Sequence, residues 1–421
     1  MRILWLSMNS GLYHNINKPN SNYNGGGWIS SLQKLIEINN ENVLALAFIT
    51  HIPLKKDIQN KTVYYPIYEK SCTKMQKLIK YYGGYKNISK NKYLKNINAI
   101  IEDFKPDIIH LFGLENPFVS VLEQHIVPVV VHLQGLLAPS DNAFFPVNFN
   151  KFSFLFPFSK REWIIRNGYI FAKNNIHVRG KRELSLFKRV EFVMGRTDWD
   201  YQVSQLLAPQ SKYFHVDEVL REPFYKNAGK WRWSDTHELK IISTLSDTVY
   251  KGLDTILKTA QLIKTQCNIS FKWIIVGLSP QTPIVGFFEK KSHIISKSVN
   301  VEYIGVLDAN QLCHQLLSSH VYVHPSYIDN SPNSVCEAQL LGMPVIGTFV
   351  GGIPSLINNF ENGILVPANA PYELAYLLKK LYLEKELAKK LGHEAYNTAS
   401  KRHNKENILF DVMNVYKKIL E

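Results

Sequence analysis

A chain of 421 residues is long enough for two domains of ordinary size. Its 45% hydrophobic content is that of a globular protein, and no apolar run approaches the length of a membrane span. A net charge of +14 and an isoelectric point near 9.3 call for an acidic partner: nucleotide, phospholipid surface or nucleic acid.

The opening residues, MRILWLSMNSG, hold one Arg and no small-residue cleavage site, so they do not read as a signal peptide. Arg2 to Met8 reads as a first strand, followed by a polar turn and then Gly25, Gly26 and Gly27. A helix from Trp28 carries Leu32, Leu35 and Ile36 at helical spacing. Val43 to Thr50, Pro106 to Leu111 and Val127 to His132 are apolar runs suited to parallel strands buried on both faces. Helical patterns around Met75 to Tyr82 and Tyr93 to Phe104 lie between them, an alternating α/β layout. A second set of strands begins after Pro223: Leu239 to Leu245, Phe271 to Val276, Val301 to Ile304, Val321 to Val323 and Val345 to Gly347. Leu253 to Lys264 is one of its helices, Asn362-Gly363 reads as a turn between strands, and Glu406 to Leu420 is the last helical stretch. Cys72, Cys267, Cys313 and Cys336 have neither ligand nor paired spacing, which suits a reducing cytosol and no structural zinc. No strand leads into a Gly-x-Gly-x-x-Gly turn, so a nicotinamide-binding reading lacks support.

The stretch from His324 to Pro354, HPSYIDNSPNSVCEAQLLGMPVIGTFVGGIP, carries the most chemistry. It reads as a strand end, a polar loop and a helix from near Ser334 to Leu341, stopped by Gly342 and Pro344. A loop entering a helix offers free N–H groups and the positive end of the helix dipole, where phosphate binds well. Asp329 lies in the loop and Glu337 on the first turns of the helix, so two carboxylates can grip two parts of one extended ligand.

This segment resembles the donor-site signature of the retaining, nucleotide-sugar-dependent glycosyltransferases of family 4. Pro325, Ser326, Glu337, Ala338, Gly342, Pro344 and Val345 fall in place. The first acidic position holds Asp329 in place of Glu, and Asn330, Ser331 and Pro332 replace the usual Gly-Phe-Gly. The resemblance implies a GT-B fold: two Rossmann-like, doubly wound α/β domains facing across a cleft. It places an acceptor-side domain at residues 1–222, a nucleotide-sugar domain at 223–403, and a helix at 404–421 that crosses back onto the first domain. It implies Glu337 on the ribose, with Asp329, Asn330 and Ser331 on sugar hydroxyls or phosphate. Gly26 and Gly27 fall in the donor loop after the first strand, and the strand-end His132 is a polar active-site contact with a proton-handling role open to it. Lys251 would stabilise the departing diphosphate. The family pairs that Lys with an Arg five residues earlier, where this chain has Ser246, expected as a donor contact in its place. The expected catalytic residues are therefore His132, Lys251 and Asp329. The implied reaction is front-face displacement from a UDP- or GDP-sugar, with no metal and no other cofactor, onto a glycan or lipid-linked acceptor of a surface polysaccharide.

Asp198-Trp199-Asp200, in VMGRTDWDYQ, matches a metal–nucleotide motif of another glycosyltransferase fold. Helix capping by Asp198, with an acceptor or phosphate contact by Arg196, is the alternative. Residues 151–189 mix Phe152, Phe154, Phe156, Phe158, Trp163 and Phe171 with ten Lys and Arg side chains, which suits an anionic membrane interface, stacking on single-stranded nucleic acid, or core aromatics with a solvated basic face. No nucleic acid is expected, and the expected location is the cytoplasm or the inner face of its membrane. Two rival functions share these features: a GT-B epimerase or hydrolase acting on sugar nucleotides, and a non-enzymatic basic protein.

Overall fold

The computed structural model describes residues 1–13, 27–39, 41–70, 90–123, 127–154 and 168–421. The helical pattern at Met75 to Tyr82, Gly25 and Gly26, and the centre of the basic aromatic stretch lie outside the described residues. The chain forms two compact units: residues 1–141, 173–219 and 404–421 in one, and 142–172 with 220–403 in the other.

The first unit is built on a sheet of β1 (Arg2–Leu6), β2 (Val43–Thr50), β3 (Asp57–Gln59), β4 (Thr62–Tyr68), β5 (Ile108–Phe112), β6 (Val129–His132), β7 (Phe192–Gly195) and β8 (Lys212–His215). Their spatial order is β3-β4-β2-β1-β5-β6-β7-β8, and every pair is parallel except β3 with β4. Leu4, Leu6, Ile109, Leu111, Val131 and Val193 are buried in one core, as strands covered on both faces require. Helices Gly27–Ile38, Lys90–Phe104 and Asp198–Leu207, and helix Tyr169–Phe187 from Lys173 onward, belong to the crossovers, and helix Lys405–Leu420 completes this unit. From that helix Tyr416 reaches Trp5 and His110.

The second unit holds a wholly parallel sheet of β9 (Glu238–Thr244), β10 (Ser270–Val276), β11 (Val301–Gly305), β12 (Val321–His324), β13 (Val345–Thr348) and β14 (Ile364–Val366). Its order, β11-β10-β9-β12-β13-β14, is that of the Rossmann sheet. The order reverses between β9 and β12, and ligands of such sheets bind outside the carboxyl ends of the strands at that point. Asn362-Gly363 lies in a turn, as expected, that leads into β14, which pairs parallel with β13.

Residues 142–172, expected with the first domain, group with the second unit. The cause is aromatic: Phe144 stacks edge-on against Tyr250, Phe149 against Phe288, and Tyr169 donates to Asp247 Oδ1 at 2.5 Å. Part of the basic aromatic stretch is likewise used internally. Lys173 pairs with Asp141 at 2.6 Å and Arg179 donates to the Glu115 carbonyl, whereas Phe152 is exposed. Among the described residues no helix is long and apolar enough to cross a membrane.

Candidate functional site

At the switch point of the second sheet, the ends of β9 and β12 bring Lys251, His324 and Asp329 together. Lys251 Nζ lies 2.5 Å from Asp329 Oδ2, and His324 Nε2 lies 2.9 Å from the same oxygen. The Ser326 hydroxyl is 3.1 Å from His324 Nε2, and Thr348 Oγ1 donates to the Ser326 carbonyl at 2.5 Å. Burial alone would push the Asp329 carboxyl up; Lys251 and His324 more than reverse this and hold it far below the usual carboxylate range. Burial opposes the Lys251 charge, but Asp329 prevails and raises its pKa. The expected cation is therefore present, and it is already engaged by an expected site carboxylate. His324 was not among the residues expected here, although its strand-end position was a signal.

Two glycines make this approach feasible. Lys251 closes the turn Val249–Lys251, and Gly252 takes φ +79° before helix Leu253–Leu262. A Cβ on Gly252 would run into the Pro325 carbonyl, and one on Gly351 (φ +52°) into that of Asp329. Gly252→Ala is expected to cost about 1–2 kcal/mol from the left-handed backbone alone, plus displacement of the Pro325 loop. A thermal melt that matches the unmutated chain would remove this constraint.

Asn330 and Ser331 are buried in the loop between Asp329 and helix Asn333–Leu341. That helix begins at Pro332, which supplies no side-chain cap, so its first N–H groups are placed to meet an anion. Ser246, exposed, bonds Thr248 Oγ1 at 3.1 Å.

Glu337 is only 1% exposed, and both its oxygens are taken by the fork of Arg221: Nε and Nη2 each lie 2.7 Å away. Burial raises the Glu337 carboxyl above its ordinary value, and the guanidinium opposes this. Sequence reasoning missed Arg221, which stands 116 positions away and in no motif. A carboxylate bound by such a fork keeps lone pairs outside it, so Glu337 retains acceptor capacity for a hydroxyl pair.

In the first unit, His132 ends β6 and is fully buried. Its Nδ1 lies 3.2 Å from His110 Nε2, and Trp28 packs edge-on at 4.9 Å. Arg196 lies over the Trp28 ring at 5.4 Å and donates to the Gln134 carbonyl. Gly27 begins the helix that carries Trp28. Asp198 does not cap its helix. Thr197 does, accepting from the Asp200 N–H at 3.1 Å, while Asp200 Oδ2 accepts from the Arg196 N–H at 2.8 Å. Asp200 is thereby engaged in closing the helix end, which weakens its reading as a metal ligand.

Burial pushes His110 down to about 3, and His132 well below its ordinary value with further opposition from His110, Arg196 and His215. The unfolded chain would protonate both near 6.5, so stability is full above that pH and falls as pH drops toward about 3. Asp329 acts in the same direction below its ordinary value of 3.8. The melting midpoint is therefore expected to fall steadily from pH 7 to pH 4.5; a flat calorimetric profile would contradict neutral burial of the two histidines.

These features define the class: two Rossmann-like parallel sheets, one per unit, make the GT-B fold. Residues 231–398 match the family model described as glycosyl transferases group 1, so the second unit carries a glycosyltransferase domain. Over 150 residues the chain is 27% identical to WcaL of Escherichia coli K12, a glycosyltransferase named for colanic acid biosynthesis, covering 33% of this chain and 35% of that protein. The chain thus spans between a fifth and about a third of the length of the first curated relatives it matches. Sucrose-phosphate synthase from Thermosynechococcus elongatus superposes with a TM-score of 0.71 at 14% identity, covering 99% of this chain and 98% of the other. HepE of Anabaena, solved in complex with UDP-glucose, superposes at 0.63 with 16% identity, covering 99% and 100%. The resemblance carried by His324 to Pro354 lies inside the matched segment.

Proposed function

We propose that this chain is a retaining glycosyltransferase of family 4 that moves a sugar from a UDP- or GDP-sugar to a glycan or lipid-linked acceptor of a surface polysaccharide. One observation carries the reading: Lys251, His324 and Asp329 meet at the switch point of the sheet, within the family-matched segment that also holds Glu337. The UDP-glucose complex of HepE supports a nucleotide-sugar donor, and the name of WcaL supports a polysaccharide setting.

In this reading the pyrophosphate lies over the first N–H groups of helix Asn333–Leu341, and Glu337 accepts from the ribose hydroxyls while Arg221 holds it in place. Lys251 turns its charge to the departing diphosphate as negative charge develops there, so its effect is larger in the transition state than in the ground state. The leaving phosphate takes the acceptor's proton on the same face, which keeps the anomeric configuration. No metal is needed, because Lys251 and the helix end supply the positive field.

The test begins with thermal stabilisation by UDP-, GDP- and ADP-sugars, since a bound ligand raises the melting point by mass action. The stabilising donor is then incubated with lipid-linked acceptors, and the anomeric configuration of the product is read by NMR. Turnover is expected to persist in EDTA with the donor configuration retained. An inverted product would refute the retaining assignment. Activity abolished by EDTA and restored by Mn²⁺ would return Asp198 and Asp200 to consideration as ligands.

A further inference from the structure

His132 is the last member of a buried file of hydrogen bonds that starts on β1 and passes through helix Lys405–Leu420. Trp5 Nε1 lies 3.3 Å from Tyr416 Oη, and Tyr416 Oη lies 2.5 Å from His110 Nδ1. His110 Nε2 lies 3.2 Å from His132 Nδ1. All four side chains are buried, and His132 Nε2 is enclosed with no hydrogen-bond partner among the described residues.

Donor and acceptor counting fixes the direction of this file. An indole N–H only donates, so Tyr416 Oη accepts from Trp5. The phenol proton then needs an acceptor, and His110 Nδ1 stands in reach. The reverse arrangement, with His110 donating to Tyr416, would bury the phenol proton without an acceptor among the described residues, at the cost of an unmade hydrogen bond. His110 Nδ1 therefore accepts, and the single proton of its neutral ring sits on Nε2. That proton goes to His132 Nδ1, which leaves the proton of His132 on Nε2. The rings are held against rotation: His110 stacks on Phe112 at 4.1 Å, and Trp5 packs edge-on against Phe112 at 4.9 Å.

We propose that Trp5, Tyr416 and His110 set the tautomer of His132, so that its outer nitrogen, Nε2, carries a proton and is a donor, not a base, at the end of β6. The expected effect on turnover rests on the function proposed above; the tautomer does not. Burial keeps both histidines neutral at physiological pH, and Arg196 and His215 also oppose a second proton on His132. Tyr416, His110 and Trp5 are positioning residues that act through His132. The proton-handling role left open for His132 gives way to donation of a fixed hydrogen bond.

Nitrogen-15 histidine spectra of the full chain at neutral pH test this, with His110 and His132 assigned from single His→Gln variants. In the unmutated chain His132 is expected to carry its proton on Nε2 and none on Nδ1. A proton on His132 Nδ1 would overturn the proposal without recourse to any variant. Tyr416→Phe removes the phenol and is expected to let His132 populate both tautomers; an unchanged, pure Nε2 tautomer would show that the file does not set it. Because a mixture of similar populations keeps about half the chains competent, the accompanying loss of turnover is expected to be only a few-fold, with the shape of the pH profile unchanged. The spectra require neither donor nor acceptor. A chain with the expected tautomer that transfers no sugar would refute the proposed function and leave this inference standing.

Discussion

Lys251→Ala is expected to lower turnover by about a hundredfold or more, comparable to removing one preorganised charge-stabilising donor from an active site. The structure gives the loss a second component. Lys251 neutralises Asp329 at 2.5 Å, so in the proposed reaction its removal takes a cation from the departing diphosphate and leaves it beside a carboxylate that His324 alone still meets. Ser246 occupies the position where the family resemblance implies a second cation, so no side chain there can take over the charge. Lys251→Ala combined with Asp329→Asn separates the two components. Removing the stray carboxylate is expected to restore donor affinity while leaving turnover low, because the transition-state charge remains unmet. Steady-state kinetics on both variants decide it: a raised donor KM with unchanged kcat in Lys251→Ala would make this residue a uniform binder.

The second large effect concerns Arg221 and Glu337. Removing one partner of a buried ion pair costs about 3–5 kcal/mol, because the other charge is left uncompensated. Arg221→Ala is therefore expected to lower the melting point by roughly ten degrees for a unit of this size. Glu337→Ala should do the same and also weaken nucleotide binding by about 1.5–3 kcal/mol, the worth of a lost charged hydrogen bond. Arg221→Met with Glu337→Leu distinguishes scaffold from ligand contact, since an apolar pair of similar volume can replace a buried ion pair without loss of stability. Stability is expected to return in that double variant, and nucleotide affinity to remain low. Calorimetry showing full nucleotide affinity there would assign the pair to the scaffold alone.

The parallel architecture was legible because inner strands buried on both faces leave continuous apolar runs, as in Val129–His132 and Val321–His324. The edge of the first sheet was not. β4 contains Pro66, which breaks the strand pattern, yet Pro66 is tolerated because β3 pairs only with Thr62 to Tyr64 and has ended before it. Asp329 and Glu337 stood out because their loop and helix are contiguous in the chain. Their partners Lys251 and Arg221 come from other elements, and only Lys251 had a motif position to mark it. The setting of His132 was likewise hidden, since Tyr416 stands 306 positions from His110 and enters the first unit only through the topology. Pairing across such separations is a property of the folded chain, and no local period records it.

The return of helix Lys405–Leu420 to the first unit also imposes an order of events on biosynthesis. At about 5–20 residues per second, a ribosome that has finished residue 219 needs roughly ten to forty seconds more to reach the helix that brings Tyr416. Throughout that interval the first sheet exists without the side chain that fills the space beside Trp5 and His110, while residues 220–403 emerge and are free to fold. The unit translated first is thus the last to mature. A nascent chain interrupted before Asn404 would hold an intact glycosyltransferase domain beside an unfinished partner, a natural substrate for chaperones.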